Sequence, residues 1–477
     1  MVLASSTTAT ALLLLLAATS DALVTPRQPS AREAMPLRRR AVAARTYDEW
    51  GAWAKNHKAA VEAKYGNVAR AQKRSTGTNL LVNQGADSSY YGSIAIGTPA
   101  VSYDVILDTG SADLWLAAED SCDSSSCDHI PTFQASDSSG FKNLSKPFSI
   151  TYGSGFASGS LGSDTVQMAG FSVSNQIFAV CDEISQDLLT TPVSGLMGLA
   201  FQTIASSGAT PFWEALVQGG AWDSPVMAFQ LTRYTNDSQA KSLEPGGSFT
   251  MGFTNETLYT GEIDYHDIPG GEGTYWIQEL SALTVQGSSI SVPSGSEAYA
   301  AIDTGTTLIG GPSEYVEQIY AQIEGAQQGT GDYEGYYLYP CDTSVSVTVA
   351  FGGNTWSISN ADFQVSQVSN QYCLGAFFSL KTGTSTPSWI FGDTFLKNVY
   401  TVFRYGNPPS VGFAQLSAYS LSMNGANNVA VPTPTIGSVA ATVEATSLVQ
   451  NNGAAGSMIH NTLPLMALSL LVALFSL

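Results

Sequence analysis

Short apolar runs separated by Gly, Ser and Asn turns dominate the middle of the chain, between residues 75 and 417. Runs of this kind are typical of β-strands, whereas helical patterns are few and short. The pattern therefore predicts an all-β body with two short helices, over residues 211–217 and 313–323. The predicted strands cover residues 90–96, 101–107, 148–152, 176–180, 248–253, 275–280, 345–351 and 400–403.

The amino-terminal pattern is different. Residues 11–18 form an apolar core followed by small residues. This core is too short to span a membrane, so residues 1–22 are predicted to be a signal peptide cleaved after Ser20 or Ala22. An uncleaved anchor is the alternative. Residues 23–74 are basic, have a helical pattern from about residue 47, and end at the dibasic pair Lys73-Arg74. They are predicted to be a propeptide, with a solvated basic linker as the alternative.

The carboxyl-terminal pattern changes at residue 418. Residues 418–452 are rich in Ser, Thr, Asn, Ala, Val and Pro and contain one charge, Glu444. Such a composition predicts an extended stalk. Residues 453–477 begin with small residues and end in an apolar run, which is the layout of a glycosylphosphatidylinositol (GPI) anchor signal, with Asn452 or Gly453 as the attachment residue. A tail-anchoring helix is the alternative, but an apolar run of fifteen residues is short for a bilayer.

A chain of 477 residues is too long for one ordinary domain. We expect an amino-terminal lobe over residues 75–255 and a carboxyl-terminal lobe over 256–417, with a hinge within 240–265. Hydrophobic residues make up 44% of the chain and charged residues only 12%, and there are 45 glycines. This composition favours a β-rich body with many turns over a helical one.

The formal net charge of −20 is unevenly distributed. Residues 21–74 contain 12 of the 19 Lys and Arg residues, whereas residues 75–452 contain 7 basic and 34 acidic residues. A body this acidic is not expected to bind nucleic acid. The carboxylates of such a body repel one another less in acid than at neutral pH, which favours a protein that works in an acidic environment.

Five cysteines and four scattered histidines leave three possibilities: a metal site, disulfides or buried thiols. No Cys/His cluster has zinc spacing, so neither a metal nor another cofactor is expected. In a secreted chain we favour two disulfides, Cys122–Cys127 and Cys341–Cys373, and one free thiol, Cys181. Three sequons predict surface glycans at Asn143, Asn236 and Asn255.

One short motif occurs twice. Asp108 begins an Asp-Thr-Gly-Ser sequence behind an apolar run, and Asp303, 195 positions later, begins Asp-Thr-Gly-Thr behind another. A single Asp-Thr-Gly is more often a turn. Two copies in matching contexts indicate an internal duplication that brings two carboxylates together. The residues predicted to support this pair are Thr109, Gly110, Ser111, Thr304, Gly305 and Thr306.

Two adjacent carboxyl groups do not both ionise easily, so they share a proton. The ionised member accepts a proton from a bound water, while the protonated member donates to a substrate carbonyl. The motif pair therefore predicts general acid–base hydrolysis that works best in acid.

Further motifs give the chain a resemblance to the pepsin family of aspartic proteases, from about residue 89 to 414. The motifs that resemble those of the family lie at residues 90–99, 108–116, 150–155, 195–200, 308–312, 389–396 and 400–403. The resemblance implies a bilobal fold with pseudo-two-fold symmetry. Residues 195–200 and 308–312 resemble the stretches that buttress the two acid loops.

The resemblance also implies roles for individual residues. Tyr152 corresponds to the flap tyrosine and Trp115 to its hydrogen-bond partner, while Gly153 and Ser154 would contact the substrate backbone. The two expected disulfides fall where the family has disulfides. The implied propeptide plug consists of Lys64 and Tyr65, and an apolar pocket is expected around Ile106, Trp115 and Tyr152. Asp113 and Asp187 are expected near the groove, where they would favour basic substrates as an alternative to apolar ones.

These observations favour a self-inhibited, secreted or cell-surface aspartic endopeptidase with yapsin-like anchoring. Its expected partners are protein or peptide substrates and, through the anchor, a membrane or wall, and a monomer is expected. A catalytically silent binding protein of the same fold and a structural wall glycoprotein are the alternatives. The first requires loss of an acid or of the flap tyrosine, and both acids and Tyr152 are present. The second explains only residues 418–477.

Overall fold

The computed structural model describes residues 76–119, 130–381, 387–426, 429–432 and 441–445. Several predicted features lie outside the described residues. They are the signal peptide, the propeptide with Lys64 and Tyr65, the Cys122–Cys127 pair, and the anchor residues Asn452 and Gly453.

Nearly half of the described residues lie in β-strands, as the short apolar runs between turns predict. Each predicted strand overlaps an observed one. Several observed strands are longer than predicted, whereas those observed within residues 275–280 and 345–351 are shorter. The strands are β1 (Gly77–Gln84), β2 (Ser89–Ile96), β3 (Val101–Asp108), β4 (Leu114–Ala117), β5 (Lys142–Tyr152), β6 (Gly155–Met168), β7 (Phe171–Ile184), β8 (Val193–Gly198), β9 (Val226–Leu231), β10 (Leu243–Met251), β11 (Tyr259–Asp267), β12 (Ile277–Glu279), β13 (Ala282–Val285), β14 (Ser288–Ile290), β15 (Tyr299–Ile302), β16 (Ile309–Gly311), β17 (Gln327–Gln328), β18 (Tyr337–Pro340), β19 (Val347–Ala350), β20 (Thr355–Ile358), β21 (Gln364–Gln367), β22 (Tyr372–Gly375), β23 (Phe377–Ser379), β24 (Trp389–Phe391), β25 (Val399–Arg404), β26 (Ser410–Leu416) and β27 (Ala441–Glu444).

The α-helices of the described residues are short. They are α1 (Phe212–Gln218), α2 (Ser313–Ala321), α3 (Asn360–Phe363), α4 (Asp393–Leu396) and α5 (Ala418–Leu421). The two predicted helices coincide with α1 and α2, and each begins directly after a proline. No helix in the described part of the chain is long and apolar enough to cross a membrane.

A 14-stranded sheet joins the two halves of the chain, because β9 and β10 pair with β25 and β1. Side chains along its central strands point alternately to two buried faces of the sheet. Phe229, Phe249 and Phe403 contribute to one hydrophobic cluster, whereas Ala228 and Val402 contribute to another. Burial on both faces gives β9 a nearly continuous apolar sequence. The sheet is therefore a rigid base common to both halves.

The same strand arrangement occurs once in each half. In the first, β8 lies between β3, which is parallel to it, and β4, which is antiparallel. In the second, β24 lies between the parallel β15 and the antiparallel β16. The predicted pseudo-two-fold symmetry thus applies to the strands that end at the two acids. Three smaller sheets of five, four and four strands complete the second half.

A buried ionic cluster connects parts of the chain that are distant in sequence. Lys397 Nζ lies 2.8 Å from Asp87 Oδ2 and 3.0 Å from Asp362 Oδ1. The guanidinium of Arg233 forms a two-pronged contact with the Asp362 carboxylate. Asp87 lies between β1 and β2, while Lys397 follows α4 directly. Since each buried charge is paired, the cluster resists separation of the elements that supply it.

Two of the three predicted cysteine states fall within the described residues. Cys341 and Cys373 form a disulfide with a Cα–Cα distance of 5.0 Å. Cys181 is a buried free thiol. Burial, together with the charge of Asp182, raises the pKa of this thiol, so it stays neutral.

The described parts of the predicted stalk, residues 418–452, pack on the body instead of extending from it. Residues 418–421 form helix α5, whose cap residue Ser417 accepts a hydrogen bond from the Ser420 amide. Residues 441–444 form β27 against β7. The sequence did not predict these contacts because its Ala, Thr and Val residues fit a polar stalk and a half-buried strand equally well.

Candidate active site

Asp108 and Asp303 occupy equivalent positions in the two halves. Asp108 is the last residue of β3, where it pairs with Gly198 of β8. Asp303 directly follows β15, and its amide donates a 3.0 Å hydrogen bond to the Phe391 carbonyl of β24. The carboxyl end of a parallel strand pair therefore positions each acid.

The two threonines behind the acids bind each other's loops. The Thr109 amide donates to Thr304 Oγ1 at 3.1 Å, and the Thr304 amide donates to Thr109 Oγ1 at 3.0 Å. Each hydroxyl in turn donates to a backbone carbonyl of the opposite loop, Thr109 to Ile302 at 2.8 Å and Thr304 to Leu107 at 2.5 Å. Both side chains are buried, and this reciprocal set fixes the distance between the loops.

Each carboxylate is held by the residues that follow it. The Gly110 amide donates to Asp108 Oδ1 at 2.8 Å, and Ser111 Oγ donates to Asp108 Oδ2 at 2.5 Å. Asp303 has the matching donors, at 2.8 Å from the Gly305 amide and 2.7 Å from Thr306 Oγ1. These donors set the orientation of both groups, as the duplicated motif predicts.

Glycine is required beside each acid because the opposite acid lies against it. A Cβ atom on Gly110 would lie 2.5 Å from Asp303 Oδ2, and one on Gly305 would lie 2.3 Å from Asp108 Oδ1. No side chain fits at these distances. The two glycines therefore allow the carboxyl groups to approach each other.

The environment of Asp108 favours its protonated form. Burial raises its pKa well above the usual range, and both the charge of Asp303 and a hydrogen bond between the two carboxyls act in the same direction. Donation from Ser111 and Gly110 opposes this shift. The pair can therefore keep a proton at a pH where a free aspartate has lost it.

A hairpin of β5 and β6 corresponds to the predicted flap. Gly153 and Ser154 form its exposed turn, and Tyr152 immediately precedes them. Trp115 of β4 is fully buried and donates from Nε1 to the Tyr152 hydroxyl at 2.7 Å. Burial, with the charge of Asp108, raises the pKa of Tyr152, so its hydroxyl is neutral. Ile106 packs against the same hydrophobic cluster as Tyr152, as expected of an apolar pocket.

Asp113 lies near Tyr152, as expected, but it is buried and is not exposed to the groove. Its side chain is 2% exposed and accepts hydrogen bonds from the amides of Ser206 and Ser207, at 2.7 and 3.0 Å. A buried carboxylate needs such donors, and these two hydrogen bonds anchor the loop that contains Ser206 and Ser207. Asp187 is exposed, with a φ of 64°.

The assignment of residues 308–312 as the second buttressing stretch is wrong. Strand β16 within this segment corresponds to β4, and β24 is the counterpart of β8. The two segments look alike in sequence because both place apolar residues before glycine. The Gly392 amide donates to the Leu308 carbonyl at 3.1 Å, so the segments are neighbours.

The three sequons differ in their surroundings. Asn143 is exposed on β5, and Asn255 is half-buried with its side-chain oxygen bonded to Thr257. Asn236 is exposed, but its Nδ2 already donates to the carbonyls of Ala361 and Gln364. A glycan on that nitrogen would displace one of these bonds, so the structure disfavours Asn236 as a glycan site.

Sequence reasoning gave Asp393 no role of its own. Asp393 is buried in the first turn of α4, and its Oδ1 has no hydrogen-bond partner among the described residues. Burial raises its pKa well above the usual range, against the opposing charge of Lys397, and the charges of Asp303, Asp87 and Asp108 raise it further. The available signal was an acid inside an otherwise apolar stretch, residues 389–396.

Comparisons with known proteins agree with this geometry. A family model described as eukaryotic aspartyl protease matches residues 89–416. The chain is 49% identical over 354 residues to major aspartyl peptidase 1 of Cryptococcus neoformans var. grubii serotype A, covering 72% of each chain. It is 34% identical over 372 residues to an aspartic protease of Phaffia rhodozyma, covering 76% of this chain and 85% of the relative. It is 32% identical over 326 residues to pepsin A of Bos taurus, with 67% and 82% covered.

The raised pKa of Asp393 predicts a specific dependence of stability on pH. A carboxyl whose pKa is higher in the folded protein stabilises it fully below the unfolded pKa, about 3.9, and this contribution is lost as pH rises through the folded pKa. Asn in its place is neutral at every pH. Between pH 4 and pH 7 we therefore expect the unfolding free energy to fall less in Asp393→Asn than in the protein that keeps Asp393. The difference should be about 1.4 kcal/mol per unit of pKa elevation.

Urea unfolding at pH 4, 5.5 and 7 measures this difference. Both proteins should carry Asp303→Asn, which prevents self-cleavage. Parallel pH curves for the two proteins would contradict the assignment of a buried, protonated Asp393.

Proposed function

The chain belongs to the eukaryotic aspartyl proteases, and we propose that it is an endopeptidase that hydrolyses peptide bonds in acid with a water held between Asp108 and Asp303. One observation carries this proposal: two buried carboxyl groups, each facing the glycine of the opposite loop. The elevated pKa of Asp108 supports a single shared proton at acidic pH.

In the proposed reaction, the ionised carboxylate takes a proton from the water as its oxygen attacks the substrate carbonyl carbon. The protonated carboxyl donates its proton to the carbonyl oxygen, which gives a neutral tetrahedral diol. The acid that took the proton from water then donates it to the amide nitrogen, while the other acid, now a carboxylate, takes a proton from one hydroxyl of the diol. The C–N bond breaks, and a carboxylic acid and an amine leave. No covalent enzyme intermediate forms, and both acids return to their starting protonation states.

The flap supplies the remaining contacts in this proposal. Gly153 and Ser154 at its exposed turn can bond the substrate backbone, while the Trp115 hydrogen bond orients Tyr152. The partly exposed side chains of Ile106 and Tyr152, which pack against the cluster that contains buried Trp115, suit an apolar or aromatic substrate side chain. The burial of Asp113 removes one of the two acids that favoured basic substrates, so apolar specificity is the stronger hypothesis.

We further propose that the protein is made as a zymogen. Residues 23–74 are basic and the body is acidic, so the two attract each other. Lys64, next to Tyr65, could place its ammonium between the two catalytic carboxylates. This ion pairing weakens when acid protonates the carboxylates, so acid would release the propeptide before the dibasic pair is cut.

The cell-surface location is proposed from the sequence of the two ends. A short apolar segment near the amino terminus predicts secretion. The small residues at 452–454 and the apolar run at the end predict exchange of residues 453–477 for a glycosylphosphatidylinositol anchor.

Replacing one acid tests the proposed reaction. We expect Asp303→Asn to lower kcat on a denatured protein at about pH 4 by at least about 10²-fold, because the proton-sharing pair is lost. Folding should remain intact, since the Asn oxygen can accept from the Gly305 amide and the Thr306 hydroxyl can turn to accept from the Asn NH2 group. The matched control is Asp267→Asn, an exposed acid of β11, which should leave kcat unchanged. Retained activity in a folded Asp303→Asn protein would show that the pair is misassigned.

Enzymatic release from cells tests the anchor. We expect a phosphatidylinositol-specific phospholipase to release the protein from intact cells, because the proposed anchor links it to the membrane only through a lipid. A chain ending at residue 452 is the control and should appear in the medium without treatment. Retention of the full-length protein after treatment would contradict the anchor and favour a membrane helix.

A further inference from the structure

The tail of the chain returns to the body as a strand. Residues Ala441–Glu444 of β27 lie parallel to residues 171–174 of β7. The register pairs Ala441 with Phe171 and Glu444 with Ser174. Beyond the strand, the Ala445 amide donates to the Ser174 carbonyl at 3.0 Å. The contact therefore uses regular backbone pairing over the length of a short strand.

The side chains of this strand alternate as a half-buried strand requires. Ala441 is buried, Val443 is partly buried against the main hydrophobic cluster, and Thr442 and Glu444 are exposed. Gly219, just after α1, makes room for Val443. A Cβ atom on Gly219 would lie 2.5 Å from Val443 Cγ1. The inward face of the strand thus fits a matching recess in the body.

Polar contacts fix the same register. Ser174 Oγ donates to the Val443 carbonyl at 3.2 Å. Asn175 Nδ2 donates to Glu444 Oε1 at 3.0 Å. Glu444 is the single charged residue of the segment 418–452, and this contact gives that charge a partner.

Strand β7 needs a neighbour at this position. Strand β6 pairs with one of its edges. On the other edge, β4 pairs only with residues 179–181, so residues 171–174 would present an open edge without β27. An open edge attracts strands of other chains, and a covering strand prevents this.

An earlier part of the tail also contacts the body. The Gly425 amide donates to the Arg233 carbonyl at 2.8 Å, and the Arg233 amide donates to Asn424 Oδ1 at 2.9 Å. Arg233 lies just beyond β9 and belongs to the buried ionic cluster. The tail is therefore attached at two separate places, near β9 and along β7.

We propose that β7 is a docking edge for the chain's own residues 441–445, so that the carboxyl-terminal residues leave the body from β7 and not from β26. Where the proposed anchor is attached, which rests on the proposed function, its connection to the body then begins at residue 446. The catalytic body is consequently held closer to the membrane than a stalk starting at residue 418 would allow.

The docking edge also sets the position of the flap relative to that departure point. Strand β6 starts at the flap turn, and Ala157 pairs with Ile184 of β7. Ser174 lies ten residues before Ile184, a separation of about 30 Å along a strand. Residue 445 therefore lies near the end of the β6–β7 pair away from the flap, and because β27 is parallel to β7, the tail points along β7 towards the flap end.

Hydrogen exchange on the full chain tests the docking edge. We expect the amides of Val443 and Ala445, which face β7, to exchange at least about tenfold more slowly than in an unstructured peptide. Gly219→Ala should raise their exchange about tenfold, because the new Cβ collides with Val443. Adding Val443→Ala should restore protection only in part, because it removes Cγ1 but keeps the Cβ atom at position 443, 2.9 Å from the new atom. Val429→Ala is the control, since Val429 is an exposed tail residue outside the strand, and it should change nothing.

A chain ending at residue 440 provides a second test that involves no substitution in the body. Its Ser172 and Ser174 amides, which face β27, should exchange about tenfold faster than in the full chain, with the remaining β7 amides unchanged. Exchange of the Val443 and Ala445 amides at the unstructured rate in the unaltered protein would overturn the proposal. So would unchanged exchange in both Gly219→Ala and the shortened chain. Proteolytic activity and phospholipase release are measured separately, so that failure of the docking edge leaves the proposed function intact.

Discussion

The reciprocal hydrogen bonds between Thr109 and Thr304 are the constraint on which the active site depends. Two buried carboxyl groups repel each other when both are charged, and burial adds a cost for each charge. Without the threonines, the acid loops could relieve that repulsion by moving apart. Because the loops are held together, the pair avoids this repulsion by retaining one proton. The sharing of a proton thus follows from the hydrogen bonds that hold each acid loop against the other.

The rest of the fold keeps that arrangement in place. Strands β8 and β24 support the two acid-bearing loops from matching positions, and the sheet common to both halves prevents them from rotating apart. The cluster of Asp87, Lys397 and Asp362 adds charge pairing between distant segments. The β5–β6 hairpin brings Tyr152, which is hydrogen-bonded to buried Trp115, near Asp108.

The sequence predicted the features that local patterns encode. Short apolar runs between turns located the strands, and the repeated Asp-Thr-Gly identified both acids with the hydroxyl residues that bond them. Long-range packing was not predictable in the same way. Asp113 looked like a groove residue until its contacts with Ser206 and Ser207 were known, and Lys397 meets Asp87 across 310 positions. The docking strand was missed because Ala441–Glu444 carries little hydrophobic signal, and its partner is about 270 residues earlier in the chain.

The pH dependence of kcat/KM tests the central claim, a proton shared by Asp108 and Asp303, most directly. The account predicts a bell-shaped profile, whose two apparent pKa values belong to the pair and whose upper limb reflects an elevated carboxyl pKa. Activity should fall below the lower value, where both acids are protonated, and above the higher one, where both are charged. A profile that rises through a single ionisation to a plateau at neutral pH would contradict the shared proton.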